Sequence, residues 1–307
     1  RLVEFLLDAR GAEPPAAAGA LHHGAAGRGL AAHEQRDAHQ AFAALADRLE
    51  VSPDDIALGG GSVESAAQIV RAFAGHGDEV MFAWRSFEAY PILVRGAGAT
   101  PVEVPLTADH RHDLPAMLAA ITPATKVIFI CTPNNPTGTA VGHEELRAFL
   151  AQVPPHVLVV IDEAYVHFQS DPDAARGLEL YREFPNVAVL HTFSKAYGLA
   201  ALRLGYTVAR PEVMEGLAKV ALPFGVTDIA QAAGVASLLA EPELQARIDV
   251  LLEERAKLEA YLATTDWDAP ASQANFVWLA AGEETDALQA HLMSRGIIGR
   301  AFSGTGI

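Results

Sequence analysis

The chain of 307 residues is 50% hydrophobic, which is enough to bury a sizeable core and predicts one large domain with a smaller one. Its 22 basic and 38 acidic residues give a formal net charge of −16, which disfavours nucleic acid and anionic membranes as partners because both require basic faces. One cysteine excludes an intramolecular disulfide, and neither a signal peptide nor a long apolar run is visible, so we expect a soluble cytoplasmic protein. The histidines lack further ligands at metal spacing, so we expect no metal site.

The first part of the chain is atypical. Residues 1–40 are rich in alanine, glycine, histidine and arginine and keep no sustained helix or strand period. From Ala41 onward apolar residues recur near helical spacing, and a short strand is predicted at Ile56–Leu58. We predict an atypical N-terminal segment over 1–40, a large domain over 41–227 and a small domain over 228–307.

A glycine-rich turn at Gly59–Ser65 follows the short strand and opens a helix. Helix N-termini hold anions through free backbone N–H groups, and glycines let a ligand approach the backbone. The turn is therefore a candidate phosphate site. Taken alone it is more commonly an ordinary connection between a strand and a helix.

Strands and helices then alternate, which predicts an α/β fold with a mostly parallel sheet and crossover helices. In such sheets functional residues gather at the carboxyl ends of the strands. Further strands are predicted at Glu79–Ala83, Thr100–Val104, Lys126–Ile130, Val157–Ile161, Val187–Leu190 and Leu204–Val208. Helices are predicted at Phe87–Val94, Leu114–Ala120, Glu144–Gln152 and Pro211–Lys219.

Three of these strands lead into residues that suit a binding site. Phe87 is an aromatic residue able to stack on a flat heterocycle, and Asn135 lies in a turn rich in proline that lifts its amide out of the sheet. Asp162 follows an apolar strand directly, where a carboxylate is costly to desolvate unless it faces a cation or a ring N–H. Taken singly, the three also have ordinary interpretations as a core aromatic, a turn residue and a helix N-cap.

Lys195 is the strongest single candidate for chemistry. A lysine whose pKa is lowered by desolvation or by a cationic neighbour forms a Schiff base with an aldehyde, and Arg203 suits that neighbour. The same arginine, with the hydroxyls of Thr192 and Ser194, suits a phosphate dianion. Together these residues suggest pyridoxal phosphate. The alternative is a solvated lysine in a loop of small residues.

The chain changes character after Thr227. A long helical tract is predicted at Asp228–Leu262, followed by a strand at Asn275–Leu279, a helix at Thr285–Ser294 and a strand at Ile297–Ala301. This α+β arrangement is predicted to form the smaller domain.

Five motifs occur in a fixed order along the chain. They are Gly-Ser-x-Glu at 61–64, Trp-Arg-Ser-Phe-Glu-Ala-Tyr at 84–90, Asn-Asn-Pro-Thr-Gly at 134–138, Asp-Glu-Ala-Tyr at 162–165 and Thr-Phe-Ser-Lys-Ala-Tyr-Gly-Leu-Ala-x-Leu-Arg-x-Gly at 192–205. This set strongly resembles the fold-type I pyridoxal-phosphate aminotransferases, and within them the histidinol-phosphate aminotransferase branch with its aromatic amino acid (phenylalanine) relatives. The resemblance covers about residues 41–307.

The resemblance implies a role for each matching residue. Lys195 would hold the cofactor covalently and then move the substrate proton, while Asp162 would keep the ring nitrogen protonated. Tyr165 and Asn135 would hydrogen-bond the phenolic oxygen of the ring, and Phe87 would stack on its face. The groups expected on the phosphate are the backbone N–H groups of Ser62, Val63 and Glu64 together with Thr192, Ser194 and Arg203. Arg300 and Asn275 match positions expected to contact substrate.

The resemblance also implies the reaction. We expect ping-pong transamination between an aromatic amino acid or L-histidinol phosphate and 2-oxoglutarate, in a homodimer. The motif at 84–90 is closer to the aromatic relatives. A threonine-phosphate decarboxylase shares the same pocket and is the first alternative.

A second alternative is a protein that binds the cofactor without turnover. Relatives hold substrate with an Asn-Glu-Asn-type segment and an Arg-Tyr-Pro segment, which the sequence between 8 and 40 does not contain. They also use an arginine that would follow Gly304-Thr-Gly-Ile307. We expect another reading frame across residues 8–40 to encode the two segments and the gene to continue with that arginine.

Overall fold

The computed structural model describes residues 43–307, and the predictions for residues 1–42 lie outside this part of the chain. A seven-stranded sheet forms its centre, in the order β1-β7-β6-β5-β4-β2-β3. β7 runs antiparallel to both of its neighbours, and the remaining pairs are parallel, which confirms the predicted α/β fold. The strands are β1 Ile56–Gly59, β2 Glu79–Trp84, β3 Thr100–Pro105, β4 Thr125–Cys131, β5 Leu158–Asp162, β6 Val187–Thr192 and β7 Gly205–Val208.

Helices cover both faces of the sheet or continue the chain beyond it. Within the first of them, α1, the apolar side chains lie on one face, and the residues of that face are buried. The helices are α1 Ser62–Phe73, α2 Ala89–Gly96, α3 Leu114–Ala119, α4 His143–Leu150, α5 Gly177–Glu183, α6 Pro211–Val220, α7 Asp228–Leu239, α8 Glu241–Leu262 and α9 Thr285–Ser294. Residues 43–49 are also helical.

The central strands are apolar along their whole length because helices cover both of their faces. β4 shows how the two faces separate. Ile128 and Ile130 point into one core cluster, while Val127 and Phe129 point into the cluster on the opposite face. This alternation of side chains fixes the register of the sheet and therefore the edge at which each strand ends.

A third cluster joins α8 to the segment after β5. Tyr165 and Phe168 pack there with Leu244 and Ile248 of α8 and with Ala274. The contact holds the C-terminal part of the chain against the carboxyl edge of the sheet.

Two strands predicted in the C-terminal part are wrong. Over 275–279 and 297–301 the chain is irregular, although Leu279 and Ile307 exchange two backbone hydrogen bonds of 2.9 and 3.0 Å and Phe302 forms an isolated bridge with Gly306. An apolar pattern indicates burial, but a strand also needs a neighbour that pairs in register over several residues. The described chain supplies only isolated bridges and single hydrogen bonds here, such as that from the Gly282 N–H to the Thr305 carbonyl at 3.0 Å.

The helical tract predicted at 228–262 is confirmed except at Ala240, where a turn separates α7 from α8. Pro242 occupies the first turn of α8, where its missing N–H costs nothing. Helix α5 was not predicted from the sequence. No helix within 43–307 has the length and apolar character needed to cross a bilayer. The cytoplasmic location and the domain boundaries stay predictions.

Candidate active site

A cavity lies at the carboxyl ends of β4, β5 and β6. It brings together every residue predicted to hold the cofactor except Glu64, and adds Cys131 and Ala164. The lining residues are Ser62, Val63, Phe87, Cys131, Asn135, Asp162, Ala164, Tyr165, Thr192, Ser194, Lys195 and Arg203. These residues come from six separate stretches of the chain, so their convergence is a property of the fold.

Lys195 stands in the turn that follows β6, and its ammonium nitrogen lies 5.0 Å from the centre of the Tyr165 ring. The residue as a whole is exposed, and its side chain lines the cavity. Partial desolvation lowers the pKa of Lys195, and the positive charges of Arg203 and Arg300 lower it further, against the opposing charge of Asp162. A larger share of the amine is therefore neutral and able to react with an aldehyde.

Asp162 is the last residue of β5, and its carboxylate is buried. One oxygen accepts a hydrogen bond from the Tyr90 hydroxyl at 2.8 Å, and the other accepts from the Ala164 N–H at 3.2 Å. Burial raises the pKa of Asp162, and the bond from Tyr90 works in the opposite direction. Since no lysine or arginine within 43–307 forms an ion pair with it, the carboxylate suits a protonated ring nitrogen in the cavity.

The N-terminus of α1 forms a cradle for an anion. Ser62 and Val63 begin the helix, and their N–H groups donate to nothing within the described chain. Arg203 lies directly opposite, since a Cβ atom on Gly61 would stand 2.5 Å from its Nη2 atom. The guanidinium is held by the Ala200 carbonyl at 2.7 Å and contacts the Ser194 hydroxyl at 3.4 Å. The N-terminus of α1, the Arg203 guanidinium and the Ser194 hydroxyl therefore face the same part of the cavity, where an anion could bind.

Two predicted site residues do not join this group. The N–H of Glu64 donates to the Gly61 carbonyl at 3.1 Å, and its carboxylate accepts from Gln68 at 2.6 Å. Glu64 therefore braces the glycine turn from outside the cavity. Asn275 is exposed and lines neither this cavity nor the neighbouring one. The roles given to both residues stay predictions.

A second chamber adjoins the first and shares Phe87, Asn135, Tyr165 and Lys195 with it. Most of the remaining wall is apolar, and Arg300 with Glu88 supplies its charges. The other lining residues are Pro136, Phe276, Val277, Trp278, Ile298, Gly299, Phe302 and Ile307. A molecule in the second chamber lies within reach of the amine of Lys195, which suits a substrate site.

Sequence reasoning missed the partners of Arg300. Its Nη2 atom hydrogen-bonds the carboxylate of Glu88, and the guanidinium of Arg85 lies 4.0 Å from the other oxygen of that carboxylate. Both guanidinium groups also lie against the Phe302 ring, that of Arg85 at 5.2 Å from its centre and that of Arg300 at 5.6 Å. Glu88 and Arg85 fall within the motif at 84–90, but only the fold brings Arg300 to them.

A buried hydrogen-bond chain supports the site from behind. Glu163 meets the Nε2 atom of His191 at 2.6 Å and accepts from the Gly177 N–H at 2.6 Å, while the Nδ1 atom of His191 meets the Tyr206 hydroxyl at 2.6 Å. These hydrogen bonds tie the end of β5 to β6 and β7. They therefore fix the ends of β5 and β6. Asp162 is the last residue of β5, and Lys195 lies four residues after His191 in β6.

The residues present fit pyridoxal phosphate. Lys195 would bind its aldehyde carbon, Asp162 would face its ring nitrogen, and Phe87 would cover one ring face. Tyr165 is buried, and burial raises the pKa of its phenol, so it stays a neutral donor for the ring oxygen beside Asn135. The cradle at the N-terminus of α1 suits the phosphate, because a side chain at Gly61 would fill it.

Several known proteins that are similar to this chain are aminotransferases. The family model described as aminotransferase class I and II matches residues 4–307. An aromatic amino acid aminotransferase of Cutibacterium acnes is 51% identical over 270 residues, covering 88% of this chain and 77% of the relative, and one of Thermobifida fusca is 52% identical over 265 residues, covering 86% and 74%. The crystal structure of histidinol-phosphate aminotransferase from Sinorhizobium meliloti with pyridoxal-5'-phosphate is similar at a TM-score of 0.80 and 31% identity, covering 88% of this chain and 77% of that one.

Proposed function

The chain belongs to the class I and II aminotransferases and uses pyridoxal phosphate, and from this premise we propose that it transfers the amino group of an aromatic amino acid to 2-oxoglutarate. The curated relatives at about half identity carry the name aromatic amino acid aminotransferase. We propose 2-oxoglutarate as the acceptor because the five sequence motifs resemble those of the fold-type I pyridoxal-phosphate aminotransferases.

The residues divide the work of this reaction. Pyridoxal phosphate supplies an aldehyde for the amino group and a ring that withdraws electrons. Lys195, whose pKa is lowered, would hold that aldehyde, and its amine would be the base that moves the proton of the substrate Cα. Asp162 would face the ring nitrogen and favour its protonated form. The cradle of Arg203 and the α1 N-terminus anchors the phosphate and orients the ring.

The apolar wall of the second chamber is the observation that carries the choice of substrate. Phe276 packs edge-on against Tyr165 at 5.0 Å, and Phe302 packs against Trp278 at 5.7 Å. Ile298, which is 90% exposed, completes the wall with Val277. An aromatic side chain gains roughly 25 cal/mol per Å² of apolar surface that it buries on such a wall.

Histidinol phosphate is the second candidate, because Arg300 offers the chamber a guanidinium that suits a phosphate. The carboxylate of Glu88 is already bonded to this guanidinium, so a phosphate would have to displace it, whereas an uncharged aromatic side chain would not. Glu88 therefore favours the neutral aromatic substrate over the phosphate-bearing one.

The test is an assay of the protein loaded with pyridoxal phosphate. We expect phenylpyruvate to form from L-phenylalanine with 2-oxoglutarate, and at least tenfold slower turnover of histidinol phosphate. Lys195→Ala is the control and should form no product. Amino transfer from neither substrate would refute the proposal, and release of carbon dioxide from threonine phosphate without a keto acid would favour the decarboxylase.

We further propose a homodimer. Leu222, Phe224 and Ile229 are 63%, 89% and 72% exposed, and they lie beside the glycine turn, since a Cβ atom on Gly60 would contact the Gly225 carbonyl at 3.6 Å. A cluster of exposed apolar side chains next to a site marks an interaction surface. Light scattering should give a dimer that Phe224→Asp converts to monomer. Leu239→Asp, at the far end of α7 and also exposed, should leave the dimer intact; a wild-type monomer would overturn the proposal.

A further inference from the structure

Tyr90 stands beneath the cavity, in the first turn of α2, and is 1% exposed. Its ring stacks on Phe129 at 4.6 Å, leans on Phe82 at 5.6 Å and meets Phe87 edge-on at 5.5 Å. The three contacts hold the ring in place. Its hydroxyl donates a hydrogen bond to Asp162, whose Oδ2 atom lies 2.8 Å away.

The environment of Tyr90 determines that its hydroxyl is the donor in this hydrogen bond. Burial and the nearby negative charge raise the pKa of Tyr90 well above its usual value, so the phenol keeps its proton and donates it. Cys131, the other ionisable neighbour, is also neutral, because burial raises the pKa of its thiol to about 12. Tyr90 and Cys131 are therefore neutral neighbours of the Asp162 carboxyl group.

We propose that Tyr90 is a positioning residue for the cofactor, and that its hydroxyl orients the carboxylate of Asp162 and keeps the shared proton on the ring nitrogen. A carboxylate that accepts a strong hydrogen bond is a weaker base than one that accepts none. A weaker base leaves the proton on the nitrogen, and a protonated nitrogen is what makes the ring withdraw electrons. The proposal requires the cofactor but no particular substrate.

Tyr90→Phe tests the hydroxyl alone, because phenylalanine keeps the ring that packs against Phe129 and Phe87. The chain also offers a matched control. Tyr181 is 2% exposed and donates to the carboxylate of Asp55 at 2.8 Å, at a site outside the cavity. Tyr181→Phe therefore removes the same kind of hydrogen bond and reports its general structural cost.

The experiment loads wild type and both variants with pyridoxal phosphate that carries ¹⁵N at the ring nitrogen. For Tyr90→Phe we expect the ¹⁵N chemical shift to move toward that of an unprotonated pyridine, and the affinity of the apoprotein for the cofactor to fall roughly tenfold, as for loss of one hydrogen bond to a charged group. Tyr181→Phe should change neither quantity.

Thermal unfolding of the apoproteins separates positioning from folding, and the two variants should unfold at similar temperatures. If Tyr90→Phe keeps the wild-type ¹⁵N shift, or if Tyr181→Phe moves it equally, Tyr90 is a packing residue only and the proposal is wrong. A shift confined to Tyr90→Phe supports it even where neither protein transaminates.

Discussion

At the scale of single residues, the charge of the second chamber depends on Glu88. Its carboxylate lies between the guanidinium groups of Arg300 and Arg85, and all three side chains are in solvent contact. Exposed ion pairs contribute little to stability, so this arrangement matters for what the chamber binds.

We expect Glu88→Gln to raise kcat/KM for histidinol phosphate roughly tenfold, because a freed guanidinium forms charge-assisted hydrogen bonds with a phosphate. The value for phenylalanine should change by less. Steady-state kinetics with both substrates measures the ratio. Glu103→Gln, which removes an exposed partner of Arg95 far from the chamber, is the control. An unchanged ratio in Glu88→Gln would show that Glu88 does not select substrate.

At the scale of elements, the phosphate cradle depends on how closely β7 approaches the start of α1. Gly205 pairs with Gly59 on one side and Thr192 on the other. A Cβ atom at this position would lie 2.6 Å from the Gly61 carbonyl carbon and closer still to the Ser62 nitrogen. The helix N-terminus and the strand meet backbone to backbone, and only glycine permits that approach.

Gly205→Ala should therefore push α1 away from Arg203. We expect overpacking to cost about 1–3 kcal/mol of stability and affinity for pyridoxal phosphate to fall roughly tenfold or more. Titration of the apoprotein with cofactor measures the loss. Gly96→Ala at the end of α2, where an added Cβ meets nothing within 4 Å, should bind the cofactor normally. Normal binding by Gly205→Ala would mean that the cradle tolerates the displacement.

Hydrogen bonds from the buried Arg255 add to the apolar contacts that attach the long helix α8. Nη1 of Arg255 donates to the carbonyls of Phe168 and Ala274 at 2.9 and 2.8 Å, and Nη2 donates to the Ser170 hydroxyl at 2.9 Å. These bonds join α8 to the chain after β5 and to the segment that enters the second chamber.

Arg255→Leu should lower the free energy of unfolding by about 3 kcal/mol, since it leaves two buried carbonyls without a donor. Urea denaturation measures this change. Arg247→Leu, on the exposed face of the same helix, should lie within about 0.5 kcal/mol of wild type. Equal stability of the two variants would show that packing, not these bonds, holds α8.

At the scale of the whole molecule, two histidines contribute to the response to acid: His112, which is buried, and His167, which is half-buried. Burial lowers the pKa of His112 to about 4, with a further contribution from Arg111, and burial lowers that of His167 to about 4. Neither ring nitrogen of His112 has a partner within the described chain. Between pH 6.5 and 4 these histidines bind protons in the unfolded chain but stay neutral in the folded chain. Their contribution to the free energy of unfolding therefore falls as pH falls through this range and is level above it.

We expect His112→Leu to reduce this loss by up to about 3 kcal/mol at pH 4, and to leave stability at pH 8 equal or higher. Denaturant unfolding at a series of pH values gives the slope. His156→Leu replaces an exposed histidine and should keep the wild-type slope. A His112→Leu protein with an unchanged acid slope would contradict the assignment.

Much of the site was predictable from order in the sequence. Lys195, Asp162 and Asn135 each follow a predicted strand, and carboxyl ends of parallel strands meet at one edge of a sheet. The contacts of Glu88 and Tyr90 were not predictable, because their partners lie 212 and 72 residues away along the chain. The wrong strands at 275–279 and 297–301 have the same origin, since pairing depends on a neighbour that the local pattern does not name.

The sequence by itself determined the class of fold, the family and the cofactor, because alternating apolar strands and helices and five ordered motifs are local features that survive without coordinates. Only the tertiary structure decided the charge of the second chamber and the support of Asp162. Hydrogen bonds act over about 3 Å, whereas the sequence records separation along the chain, so contacts between distant segments become visible only once the sheet has brought Arg300 to Glu88 and Tyr90 to Asp162.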